Sequence, residues 1–297
     1  PRFNEAYLMH TSTSPQYAII ASCDVAAAMM EAPGGPALVE ESILEALDFR
    51  RAMRKVDEEF GDSWWFKVWG PEYLAEEGIG NRDDWMLRAN DPWHGFGDIA
   101  EGFNMLDPIK ATVLTPGLNV DGDFADPGIP AAIVTKYLSE HGVIVEKTGL
   151  YSFFIMFTIG ITKGRWNTLL TALQQFKDDY DKNQPLWRAL PEFVQAHPRY
   201  EKTGLRELCD AIHGIYRAND IGRLTTEMYM SNLEPAMKPA DAFARMAHRE
   251  IERVAIDDLE GRVTSALVTP YPPGIPLLIP GERFNKQIVK YLQFARD

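Results

Sequence analysis

The chain has 297 residues, of which 45% are hydrophobic and 11% aromatic; it can bury one large core or two ordinary ones and is not a disordered segment. Its formal net charge of −13 argues against nucleic acid as a partner, because phosphates need a basic face, while it suits a cationic small molecule and is also the ordinary surface of a solvated protein. Two cysteines without a CxxC pair fit a reducing compartment and give no zinc site, no apolar run reaches the roughly 18 residues of a membrane span, and the N-terminus has no signal-peptide pattern, so the cytoplasm is the expected location.

Ser14 at N-cap and Pro15 at the first helical position predict a helix start. The small-residue run at 16–30 then reads as a mostly buried helix, and APGGP at 32–36 breaks it. An amphipathic helix is expected over 38–60, with Leu44, Leu47 and Met53 on its apolar side. Strand-like runs follow at 64–69, 111–114, 143–145 and 153–159. A helix opened by Pro130 is expected over 130–141, and another over 163–180. Strands alternating with helices imply an α/β layer, which Asn183-Gln184-Pro185 ends. Beyond it the pattern is mainly helical, at 205–217, 223–232 and 239–250. A strand at 252–256, a proline-rich loop at 270–280 and a helix at 285–295 complete the chain, which has no internal repeat.

Few side chains stand out chemically. Thr11, Ser12, Thr13 and Ser14 place four hydroxyls before a helix N-terminus, where free N–H groups and the dipole favour an anion such as phosphate; plain capping would need only one of them. His10, beside them, reads as a packed histidine. Glu146 ends the apolar run 143–145, where a carboxylate is costly unless paired. Lys147 points to the opposite face of a strand, so a cationic ligand could supply the charge; a surface glutamate at a strand end is the plainer reading. Tyr271 precedes Pro272-Pro273-Gly274, a stiff bend that can hold a phenol at a pocket mouth or simply pack it. His94 reads as a hydrogen-bonded core histidine. Asp121, Asp123 and Asp126 form a polar turn, lacking the order and distant glutamate of a calcium loop. The histidines have no HExxH spacing, and Gly117, Gly122 and Gly128 make no nucleotide fingerprint.

Three blocks carry more information together than singly: FNEAYLMHTSTSPQY at 3–17, VIVEKTGLYSFFIMFTIGI at 143–161 and TPYPPGIPLLIPGE at 269–282. With WHGF at 93–96 and LDPIK at 106–110, they resemble the large bacterial ornithine/lysine/arginine decarboxylases that use pyridoxal 5'-phosphate (PLP), and most closely the lysine enzymes. The resemblance implies an α/β chain that is the C-terminal part of a fold type I PLP-dependent transferase. Residues 1–31 would end the large PLP-binding domain, 32–183 would form a small α/β domain, and 184–297 a mainly helical α+β C-terminal domain that stops short of the family's tail. It implies that Ser12, with Thr13 second, reaches the PLP phosphate of the neighbouring subunit. Glu146 would face the distal amine of the substrate, Thr148 would line the pocket, and Tyr271 would line the channel. Arginine enzymes of the family lack this glutamate, so VEKTG looks like the lysine-type version.

The family's Schiff-base lysine lies in an SxHK segment upstream of the FNEAY block, and no lysine here follows a histidine. The chain is therefore expected to supply no catalytic residue, to be inactive alone, and to belong to a longer polypeptide that converts L-lysine to cadaverine and CO2. An arginine or ornithine decarboxylase, or a non-catalytic fragment or assembly module, is the alternative. The implied partners are a basic amino acid and a second subunit, in a homodimer with the active site at the interface; family members often assemble five such dimers into a decamer, but only dimer contacts are expected of this chain, and membrane and nucleic acid are not expected.

Overall fold

The structure, a computed structural model, describes residues 2–11, 14–271 and 274–296. Helices α1 (Arg2–His10) and α2 (Tyr17–Met29) lead into the long helix α3 (Gly34–Phe60). Ala46, Phe49, Met53 and Val56 recur on α3 every three or four residues and are all buried, while Glu40, Glu41 and Glu58 stay in solvent. That stripe is what turns α3 toward a core.

The core's other wall is a four-stranded sheet: β1 (Lys67–Val68), β2 (Lys110–Leu114), β3 (Lys147–Thr148) and β4 (Ser152–Met156), in the order β1-β2-β4-β3. Every pairing is antiparallel. Val68, Val113, Phe153 and Thr148 are in register across all four strands, so they share one face. Val113 and Phe153 on that face are buried with side chains of α3, α4 (Ala131–Glu140) and α5 (Lys163–Asp181). Phe49 of α3 meets Phe157 and Trp166 at ring-centroid distances of 5.5 and 6.0 Å, and the Trp166 indole donates to Glu45 at 2.6 Å.

Arg50, also buried, ties α3 to the sheet. Its guanidinium donates to the carbonyls of Trp69 and Lys110, both at 3.0 Å, and lies over the Trp85 ring. Burial, with Arg54 close by, lowers its pKa to about 10. Two bonded carbonyls and an aromatic face offset only part of the lost hydration.

Short helices α6 (Leu186–Ala189) and α7 (Pro191–Ala196) lead to α8 (Leu205–Ala218), whose Leu205, Leu208 and Cys209 complete this first core. Burial pushes the Cys209 thiol pKa up, so it packs as a small apolar group. A second, smaller core joins Met228 of α9 (Ile221–Met230) to Leu277, Leu278 and Phe284 and to Ile288 and Val289 of α11 (Lys286–Arg296). Helix α10 (Pro239–Ala247) presents Ala242 as its buried residue. The whole is an α/β layer with a mainly helical continuation. Among the described residues no helix is long and apolar enough to cross a membrane.

Several local expectations change. The helix expected from Pro15 starts at Tyr17, because Gln16 is extended and its carbonyl accepts the first turn's hydrogen bonds from Ile19 and Ile20. Proline fixes its own φ but not the conformation of the residue after it. That helix is also not buried: none of α2's residues is, and Ile19, Ile20 and Val25 are all more than half exposed. Of the run 64–69 only Lys67–Val68 is strand, with the Trp69 amide still bonded to the Thr112 carbonyl at 2.8 Å. The run 143–145 is not a strand. Gly142 takes a positive φ of 78° and the Val143 amide folds back onto the Leu138 carbonyl, so this stretch closes the end of α4 before the ladder begins. The helix expected over 239–250 ends at Ala247, before Arg249 at φ 62°. The strand expected at 252–256 is absent; the chain enters a 3-10 turn at Ile256–Asp258 instead.

Candidate functional site at the β3–β4 hairpin

The hairpin begins one residue before β3. The Glu146 amide donates to the Phe154 carbonyl at 2.9 Å, extending the β3–β4 ladder, and the Gly149 amide closes the turn onto Ser152 at 2.7 Å. Glu146 and Thr148 stand two residues apart at the start of this hairpin, Glu146 just before β3 and Thr148 within it. The Thr148 hydroxyl donates to the Thr135 hydroxyl on α4 at 3.2 Å, which braces the strand against the helix layer. Glu146 is exposed, and its carboxylate has no ion pair or hydrogen bond among the described residues. The carboxylate is thus a surface one, at the end of a lead-in of which Val143 and Val145 pack half-buried against the first core while Ile144 is 88% exposed.

The hairpin is locked from behind. Between its strands, Tyr151 is buried, and its hydroxyl lies 2.6 Å from Nδ1 of the buried His213 on α8. With the hydroxyl donating to Nδ1, the ring proton sits on Nε2, which faces Asp126 Oδ1 at 3.4 Å without forming a hydrogen bond to it. Arg217, one turn along α8, donates to the same carboxylate oxygen at 3.1 Å. Two glycines make room for this arrangement. A Cβ on Gly128 would fall 1.9 Å from His213 Nδ1, and one on Gly117 would fall 2.4 Å from the Tyr151 ring. Burial lowers the His213 pKa and Arg217 adds to the effect, while Asp126 opposes it. Burial raises the Tyr151 pKa, so the phenol stays protonated. Backbone bonds from Thr115 to the Tyr151 carbonyl and from Ala131 to the Leu150 carbonyl finish the lock.

The other expected site residues lie elsewhere. Ser12 and Thr13 fall outside the described residues; beside them, the Thr11 hydroxyl donates back to Leu8 at 3.4 Å. Tyr271 is 74% exposed, in the loop whose Gly274 amide bonds to Pro270 at 2.8 Å. Its ring lies over Gly274, where a Cβ would come within 3.0 Å, and Tyr229 of α9 anchors the loop through the Ile275 carbonyl. Glu146 and Thr148 thus share the hairpin, whereas no hydrogen bond or ion pair joins Tyr271 to them among the described residues. His94 is a core histidine as expected, accepting from the Phe96 amide at 3.0 Å. Asp121 and Asp123 form the polar turn, their amides held by the Asn119 side chain.

The fit to PLP can be judged from the lysines. None is buried among the described residues, and Lys177, the one drawn furthest in, is held by Asp181 over the Trp65 ring. The described residues alone therefore offer no buried lysine to hold the cofactor. A separate surface cleft of about 780 Å³ beside α10 is lined by charges of both signs, Arg245, Arg249 and Arg262 with Glu250 and Glu252, and Arg262 is paired with Glu252.

Sequence reasoning missed the Tyr151–His213–Asp126 lock. The available signal was His213 itself, which recurs with Leu205, Leu208 and Cys209 on the apolar side of α8.

Residues 1–165 match the family model for the Orn/Lys/Arg decarboxylase major domain, and residues 222–297 match that for the Orn/Lys/Arg decarboxylase C-terminal domain. Lysine decarboxylase LdcA of Pseudomonas aeruginosa is 51% identical over 99% of this chain, which spans 40% of that protein. The biodegradative arginine decarboxylase of Escherichia coli is 38% identical over 98% of the chain, which spans 42% of its length. The solved structure of lysine decarboxylase A from Pseudomonas aeruginosa superposes with a TM-score of 0.93 at 51% identity, over 99% of this chain and 40% of that one. The chain thus spans about two fifths of the relatives it matches.

Proposed function

Because this chain belongs to the Orn/Lys/Arg decarboxylase family, we propose that it forms the substrate-recognition part of a PLP-dependent decarboxylase of basic amino acids, acting on L-lysine to give cadaverine and CO2. The observation that carries this reading is the free carboxylate of Glu146, held on a braced hairpin beside Thr148. An ammonium group arriving at that carboxylate would gain a charge-assisted hydrogen bond that a neutral side chain could not make. The preference for lysine draws on the closer likeness to a lysine decarboxylase, 51% against 38% for the arginine enzyme.

PLP supplies an electron sink for the bond to the departing carboxylate when it is bound. What these residues contribute is orientation and specificity: Glu146 holds the distal amine, Thr148 lines the pocket, Tyr271 lines the channel, and Ser12 with Thr13 contacts the cofactor phosphate. The division into residues 1–31, 32–183 and 184–297 belongs to the same reading. So does a dimer, in which the apolar, unburied α2 would be covered by the rest of the protein or by a second subunit.

The test is CO2 release from lysine, ornithine and arginine by the whole protein and by residues 1–297 alone. Lysine-preferring release from the whole protein and none from the 297 residues is the expected result. Preference for arginine would remove the proposed role of Glu146, and activity from the 297 residues alone would mean that a lysine within them serves the cofactor.

A further inference from the structure

The lock behind the hairpin is more elaborate than packing requires. Tyr151 sits five residues after Glu146 and three after Thr148, at the bend that sets where both side chains project. A tyrosine at such a bend could pack as a phenylalanine does. Here its hydroxyl instead reaches a buried histidine 62 positions later in the chain, on a helix from beyond the sheet. The histidine in turn faces Asp126, a carboxylate shared with Arg217. The close approach of Gly128 fixes the ring on one side, since its position leaves no space even for a methyl group. The imidazole and the phenol are thereby held in place against each other.

We propose that His213, held between Tyr151 and Asp126, is a positioning residue that sets the β3–β4 hairpin and through it the placement of Glu146 and Thr148 toward the substrate's distal amine. The part concerning substrate rests on the reading of Glu146 given above; the part concerning the hairpin rests on the geometry alone. The lock acts on where the carboxylate stands, not on the bond-breaking step, so loosening it should weaken recognition of the distal amine more than turnover.

The experiment uses the whole protein with PLP bound and compares the parent with Tyr151→Phe, His213→Gln, Glu146→Gln and the Tyr151→Phe/Glu146→Gln pair. Tyr151→Phe removes one buried hydrogen bond without changing side-chain shape, so KM for lysine should rise about three- to tenfold with kcat within about twofold. His213→Gln should shift KM in the same direction. In the Glu146→Gln background, the effect of Tyr151→Phe should shrink to less than about twofold, because the two residues act through one contact. Full additivity, or a fall in kcat at unchanged KM, would overturn the proposal.

Hydrogen exchange of the peptide spanning residues 145–152 provides the readout independent of activity. Tyr151→Phe should speed its exchange about tenfold, in line with one lost buried hydrogen bond, while unchanged exchange would overturn the positioning claim. If Glu146→Gln alone leaves KM untouched, the reading of Glu146 fails, and the exchange result still decides whether His213 sets the hairpin. Should His213→Gln fail to fold, the isosteric Tyr151→Phe decides both points.

Discussion

Gly128→Ala puts the lock to a steric test. The backbone at Gly128 is not in the left-handed region, so alanine meets no conformational penalty there and the whole effect comes from one methyl group. That methyl would sit 1.9 Å from His213 Nδ1 and 2.0 Å from its Cγ. Ordinary carbon contacts are about 3.5–4.0 Å, so the ring must retreat by about 1.5 Å or more. A displacement of that size breaks the 2.6 Å contact with the Tyr151 hydroxyl and carries Nε2 away from Asp126. Overpacking alone costs about 1–3 kcal/mol. A buried hydroxyl left without its partner costs about 1–3 kcal/mol more. The smaller entropy of the unfolded alanine chain offsets about 0.4–1 kcal/mol of this, leaving about 1–5.5 kcal/mol of destabilisation. Urea unfolding followed by tryptophan fluorescence is the assay, since all seven tryptophans lie between Trp64 and Trp187 and report on the first core. Gly164→Ala is the control: no atom stands within 4 Å of its added Cβ, and as a helix residue it should be stabilised by about 0.5–1 kcal/mol. A loss below about 1 kcal/mol for Gly128→Ala would refute the claim that the glycine holds the histidine in place.

Acid should act on the same histidine. The folded pKa of His213 is lowered by burial and by Arg217, against the opposing pull of Asp126 and Asp210. The unfolded chain then binds a proton at about pH 6.5 that the folded chain refuses, so stability is highest above that pH and falls as pH drops through about 6.5 toward 5. Unfolding curves for His213→Gln should be flatter over that interval than those of the parent; parallel curves would show that His213 carries no linkage. In the first core, Phe176 is fully buried and meets Phe66 and Tyr137 at ring-centroid distances of 6.0 and 5.2 Å. Phe176→Ala should cost about 3–5 kcal/mol by the same unfolding assay, and a cost under about 1 kcal/mol would mean that the site collapses freely.

What could be read from the sequence follows the range of the interactions involved. Helix α3 was legible because Leu44, Leu47 and Met53 follow the helical period, a property of neighbouring residues alone; Leu47 and Met53 are buried, with Ala46, Phe49 and Val56 beside them. Helix α5 was legible for the same reason, through Trp166, Leu169, Leu173 and Phe176. The run 143–145 misled because β-branched residues suit a strand wherever they stand; whether they pair depends on Gly142 turning the chain off α4. Helix α2 reads as buried because its side chains are small and apolar, yet burial also requires a neighbour, and among the described residues α2 has none over its apolar side chains. Glu146 was singled out through its motif, whereas the arrangement behind the hairpin was not seen: Tyr151, His213 and Asp126 meet across long stretches of chain, and no local pattern encodes that meeting. Arg50 was overlooked for a related reason: on a helix rich in charge it reads as a solvated residue until Trp69, Lys110 and Trp85 close over it.

The account depends most on the free carboxylate of Glu146, and the direct measurement is kcat/KM for L-lysine in the whole protein carrying Glu146→Gln. Glutamine keeps the size and one acceptor oxygen but loses the charge. A hydrogen bond between charged groups contributes about 1.5–3 kcal/mol, so kcat/KM should fall about 10- to 150-fold. A carboxylate buried before substrate arrives would give a larger loss, but the exposure of Glu146 means that its hydration is given up only on binding, which reduces the net effect. A fall within that range, with PLP absorbance unchanged, is the result predicted for a residue that holds the distal amine. A change of less than about threefold would contradict the central claim, since it is smaller than the loss of one charged hydrogen bond.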